Sequence, residues 1–107
     1  GWAWRAGVAI AAGTDGETPA DAPFPALHEE LERLVAAGLP PIEALRAASF
    51  NGARAIGQAE DRGTIEVGKL ADLVFTQDDP SRDIRALRSV VLTVKRGARY
   101  PRADFGR

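Results

Sequence analysis

The 107-residue sequence predicts an α/β chain in the order strand, loop, helices, small β unit. Three observations lead there. An apolar run without alternation, Val8 to Ala12, stops just short of Gly13, Thr14 and Asp15; apolar residues then recur at helical spacing from Leu27 to Ala48; and after Gly57 the period becomes that of extended chain. An unalternating run suits a strand covered on both faces, the usual state of a parallel sheet wrapped by helices. Between Asp15 and Leu27 lies an irregular stretch far longer than the about 4 to 6 residues of an ordinary connection, and loops of that length are more often functional.

Taken in order, GWAWRAGV reads as the last turn of a helix stopped by Gly7, and with no methionine it is expected to be processed or cut from something longer. Trp2 and Trp4 are expected to pack. The glycines flanking the apolar run favour a strand over a helix there. ETPADAPFPA carries three prolines, which remove amide donors and force extended geometry, so it is a loop, with Glu17 and Asp21 solvated. Leu27, Leu31, Leu34 and Val35 form the inner stripe of a helix that ends at Gly38, leaving Glu29, Glu30 and Glu32 as a solvated face. Pro41 suits a first helical position, but Pro40 has no hydroxyl to complete a capping box with Glu43. Ile42, Leu45 and Ala48 form the inner face of that second helix, and NGARAIG adds a short third. GTIEVG, ADLVFT and SVVLTVKRG read as strands, with DDP as a turn and one helical turn in SRDIRALR.

Fourteen basic and fifteen acidic residues are mixed to a net charge of -1, so no field favours nucleic acid or an anionic membrane. KRGARYPRADFGR, with five cations and one acid, is expected to be a solvated terminus. The absence of cysteine excludes disulfides and thiolate metal sites and agrees with a reducing compartment, and with neither a spanning stretch nor a secretory signal the expected location is cytoplasmic. Gly63, Gly68 and Gly97 form no phosphate cradle, since no strand-to-helix junction follows them. In the bare TDG motif, Asp15 is a turn or cap aspartate.

Four stretches in order change that reading: AGVAIAAGTD, LHEELERLVAAGLPPIEALRAAS, NGARAIG, and DRGTIEVGKLADLVFTQDDP with VLTVKRG. Together they resemble the C-terminal portion of a metal-dependent amidohydrolase of the imidazolonepropionase and prolidase-like branch, over roughly Ala6 to Gly97. The pattern G-x-I-x-x-G-K-x-A-D-L-V is the most specific part, and Pro40 departs from the threonine cap usual in the family. The resemblance implies the terminal segment of a (β/α)8 barrel, its last strand and following helices, plus C-terminal strands of a small composite β-sandwich. Residues 1–57 are then the end of the barrel and residues 58–107 the sandwich strands.

The resemblance also implies a role for Asp15 as catalytic residue and metal ligand at the C-terminal end of a barrel strand, where such active sites lie. A metal lowers the pKa of water toward about 7, and a carboxylate beside it can take the proton and return it to a leaving amine. Gly13 would allow close approach, and Thr14 would support the carboxylate or fill space. Asp72 is expected to be a structural hydrogen-bonding residue, and His28, the only histidine, a structural or pocket-edge residue rather than a metal ligand.

A hydrolytic zinc centre needs about three protein ligands and an open position, and this sequence lacks the His-x-His pair of the family's first strand. The expectation is therefore a piece of a hydrolase of C–N bonds (amide, cyclic amide or peptide) that is inactive alone. It would bind no metal tightly by itself, while the intact enzyme uses a divalent metal, zinc foremost, on a small-molecule amide or peptide substrate. Unpaired strand edges predict a homo-oligomer or association with the rest of the barrel. Two other readings stand beside it: a non-catalytic interaction module that keeps the tail fold, and an unrelated α/β domain in which Val8 to Ala12 pairs within this chain.

Overall fold

The computed structural model describes residues 1–16 and 19–105. Helices α1 (Trp2–Arg5), α2 (Ala26–Ala36), α3 (Pro41–Ala48) and α4 (Phe50–Ala55) are followed by strands β1 (Leu73–Thr76), β2 (Val90–Lys95) and β3 (Ala98–Pro101), with 3₁₀ turns at Ile84–Ser89 and Arg102–Phe105. The strands form one antiparallel sheet in the order β1-β2-β3. Leu73 pairs with Val94 and Phe75 with Leu92, and a bulge shifts the register between Phe75 and Thr76.

The helices start and stop where the sequence indicates. Gly7 and Gly38, at φ 85° and 108°, take the left-handed conformation that ends α1 and α2. Pro41 occupies the first turn of α3, Pro40 supplies no side-chain cap, and Glu43 pairs instead with Arg46 at 2.8 Å. Asp83 accepts the Arg85 amide at 3.0 Å and so caps the 84–89 turn. Leu31, Ala44 and Ile84 form the buried centre, with Leu34, Val35, Leu45, Ala48 and Leu87 packed on it. Both halves of the chain thus share one core. Among the described residues no helix is long and apolar enough to cross a membrane.

The motif at residues 63–74 is a structural device. Lys69 Nζ donates to the Ala59 carbonyl at 2.8 Å and to Thr64 Oγ1 at 2.7 Å, and it pairs with Glu66 at 3.0 Å. Gly63, at φ 98°, lies so close to α4 that a Cβ would come within 2.8 Å of the Ala53 Cβ and 3.1 Å of the Phe50 Cα. Asp72 accepts the Arg96 amide at 2.8 Å and Lys95 Nζ at 3.2 Å, the structural role expected of it. It thereby fixes the β2–β3 turn, in which Arg96 itself sits at φ 48°.

Val8 to Ala12 joins no β ladder among the described residues, which corrects the reading of an unrelated domain with this segment paired internally. Other sequence expectations are corrected too. GTIEVG is a turn-rich loop organised by Lys69 rather than a strand. Ile42 is 51% exposed, and Ala44 and Ala47 line the inner face of α3 in its place. Trp2 is 82% exposed and does not pack. Within KRGARYPRADFGR, residues 98–101 pair with β2 and form a strand, and a 3₁₀ turn follows, so this stretch is not a loose terminus. Arg107 lies outside the described residues.

Leu31 is 2% exposed at the centre of the core, so Leu31→Ala is expected to cost about 2–5 kcal/mol, read as a lower denaturant midpoint. The hydrogen bond from the Arg96 amide, then that from Lys95, holds the Asp72 carboxyl below its ordinary range. Such a group stabilises the fold above the unfolded-state pKa of about 3.9, and the contribution is lost as pH falls through the lower folded value. Asp72→Asn should therefore lower the midpoint at pH 7, with the gap to the parent protein narrowing as pH falls below about 3.9.

Candidate functional site

The approach to Asp15 is built from helices rather than from a sheet. Asn51, near the start of α4, donates from Nδ2 to the Ile10 carbonyl at 2.8 Å, and the Ala12 amide donates to the Ala47 carbonyl of α3 at 2.9 Å. One residue further on, the Gly13 amide reaches Glu30 Oε1 of α2 at 3.4 Å. The apolar segment is thus tied down by α4, α3 and α2 in succession as it nears Asp15.

Asp15 is exposed, sits at φ 47°, and its carboxylate has no hydrogen-bond partner among the described residues. Its left-handed backbone turns the chain at the end of the apolar segment, a conformation that aspartate tolerates better than most side chains. Thr14 Oγ1 accepts the Gly16 amide at 3.4 Å, so it braces the turn rather than the carboxylate. Asp21 is exposed, as expected, and Glu17 lies outside the described residues.

Glu30 and Glu32 correct the reading of a solvated acidic face. Both are half-buried: Glu30 receives Gly13, and Glu32 accepts Arg88 Nε at 2.8 Å. His28 is half-buried at the edge of an apolar cleft of about 630 Å³ between α2, α3 and the sheet, lined also by Leu31, Leu45, Leu73 and Val90. Burial first, and then the charge of Arg88, lower its pKa. A second cleft, of about 490 Å³, lies beside the apolar segment and is lined by Ile10, Leu39 and Asn51. Asp15 lines neither.

A lone carboxylate suits one coordination position of a hard or borderline divalent ion, since its oxygens are accessible and uncommitted. It does not make a site. No group of three or more His, Cys, Asp or Glu side chains gathers to hold a metal among the described residues. Asn51 and Arg88 had no signal in the linear pattern, and Glu30 read only as part of a solvated face. Asn51 acts across 41 positions, and only the NGARAIG stretch drew attention to its neighbourhood.

Removing the Asn51 side chain leaves the Ile10 carbonyl without its partner. Asn51→Ala is expected to cost about 1–3 kcal/mol and to speed hydrogen exchange at the Ala12 and Gly13 amides. Unchanged exchange there would show that the helices hold the segment without it.

Comparison with known proteins places this geometry. The model of the amidohydrolase family matches residues 1–99. Imidazolonepropionase of Symbiobacterium thermophilum is 58% identical over 38 residues, 36% of this chain and 9% of that enzyme. The 5-methylthioadenosine/S-adenosylhomocysteine deaminase of Moorella thermoacetica is 38% identical over 77 residues, 65% of this chain and 18% of the enzyme. The chain therefore spans less than a fifth of the length of these two curated relatives. Among solved structures, a Xaa-Pro dipeptidase with bound methionine in its active site superposes with a TM-score of 0.80 at 31% identity, covering 94% of this chain and 24% of the dipeptidase. Phenylurea hydrolase B does so with a TM-score of 0.80 at 34% identity, covering 94% and 25%.

Proposed function

The chain belongs to the amidohydrolase family, and from that premise we propose that it supplies the end of the catalytic barrel in a metal-dependent hydrolase of amide, cyclic amide or peptide C–N bonds. The observation that carries this reading is the position of Asp15. Among the described residues it is an uncommitted carboxylate at the end of an apolar segment that no strand pairs, within a chain that superposes over nearly its whole length on a dipeptidase and a phenylurea hydrolase. The unrelated-domain reading required Val8 to Ala12 to pair within the chain, and among the described residues they have no strand partner.

In the intact enzyme a divalent ion, zinc foremost, supplies Lewis-acid activation of water when bound. Asp15 would help to hold the ion through its carboxylate, and would accept a proton from the attacking water and return it to the departing amine. The left-handed turn at Asp15, braced by Thr14, holds the carboxylate clear of the helices. The remaining ligands come from polypeptide outside this chain, so the 107 residues alone are inactive. On the same reading Val8 to Ala12 is the last barrel strand, and residues 58–107 belong to a composite β-sandwich. Ile65, 87% exposed, and Val67, fully exposed, support this as apolar side chains awaiting cover. Association with the rest of the barrel, or between copies, would cover them, and a cytoplasmic location suits a chain without cysteine.

Asp15→Asn in the intact protein is expected to lower turnover of a dipeptide or amide substrate by about 10²-fold or more while the fold persists. Near-normal rates would end the proton-shuttle role. The isolated chain should show neither turnover nor stoichiometric zinc, and either one would overturn the proposed incompleteness.

A further inference from the structure

Away from Asp15, the proline-rich loop is fastened by an arrangement that the proposed chemistry does not use. The Phe24 ring carries two guanidinium groups over it: Arg88 of the 84–89 turn is 5.4 Å from its centroid, and Arg102 of the terminal 3₁₀ turn is 5.3 Å away. The His28 ring meets Phe24 at 5.3 Å, tilted by 43°. Its Nδ1 is shielded from solvent, and no described residue offers that atom a hydrogen bond. The charged groups facing the imidazole come from every element packed around it. Glu32 lies one turn further along α2 and is engaged by Arg88, Arg88 comes from the 84–89 turn, and Arg102 from the terminal turn. Glu29, on the same helix, is turned to Arg33.

We infer that Phe24, gripped by Arg88 and Arg102, is a latch holding residues 19–25 to the C-terminal end of the chain, and that a proton on His28 releases it. A cation over an aromatic face is worth about 0.5–2 kcal/mol, so two of them on one ring secure a loop whose prolines supply few amide donors. A proton on His28 adds a third positive charge that Arg88 and Arg102 repel, and makes both ring nitrogens donors, so that the shielded Nδ1 carries an N–H with no acceptor among the described residues. Glu32 offsets this only in part, because it is already engaged by Arg88.

The sign follows from linkage. Burial and Arg88 lower the His28 pKa in the latched state, with Arg102 adding to them. The open state binds the proton more readily. Acidification therefore favours opening, beginning below the ordinary histidine value of about 6.5 and levelling off once pH is below the latched value. The inference does not depend on the role proposed for Asp15.

Hydrogen-exchange mass spectrometry of the intact protein, following peptides that cover residues 19–28 with rates normalised to intrinsic exchange at each pH, tests it. Between pH 8 and pH 5 the parent protein should lose protection there severalfold. His28→Gln should remove most of that pH response, and Phe24→Leu should give low protection at both pH values. A parent protein whose normalised protection does not fall on acidification overturns the inference. So does a fall of the same size in His28→Gln or, should that variant not fold, in Phe24→Leu.

Discussion

The backbone of the apolar segment before Asp15 has too few partners inside this chain, and that shortage governs much else. Of residues 8–12, the Val8 amide is taken by the Ala3 carbonyl, the Ile10 carbonyl by Asn51 and the Ala12 amide by the Ala47 carbonyl. The amides of Ala9, Ile10 and Ala11 meet no protein acceptor among the described residues. Ala9 and Ala11 are exposed, so water can satisfy these donors. The segment is thus positioned by helices on one side while its other side stays open. Its side chains fit that state: Val8 is 51% exposed although it belongs to the most apolar stretch of the first half.

The same logic explains why the strongest sequence pattern is not catalytic. In the stretch from Gly63 to Val74, Lys69 gathers a loop, Gly63 lets it touch α4, and Asp72 locks the β2–β3 turn. These are geometric constraints, satisfied by few residue types, and a constraint of that kind leaves a recognisable pattern. An exposed carboxylate demands little of its immediate neighbours, so the TDG around Asp15 reads as any turn.

Periodicity and punctuation made the helices legible: the Leu31 stripe, Pro41 at a helix start, and Gly7 and Gly38 at helix ends all lie where local rules put them. Contacts between distant residues were not legible. Residues 98–101 form a strand because Asp72 fixes the turn before them, from 24 positions away. Glu30 and Glu32 look like a solvated face until the Gly13 amide and Arg88 arrive from elsewhere in the chain. Asp15 stands out as a candidate only through the family pattern around it, since neither its charge nor its spacing distinguishes it.

The sheet has two outer strands of unequal character. Along β3 the last residue is Pro101, which has no amide to donate, Arg99 carries a charge, and the terminal 3₁₀ turn packs against the strand. The outer side of β1 has none of these guards: Leu73, Val74, Phe75 and Thr76 all keep their amides, and its bulge comes only at the far end. Growth of this sheet is therefore directional. An added strand would meet fewer obstacles at β1 than at β3.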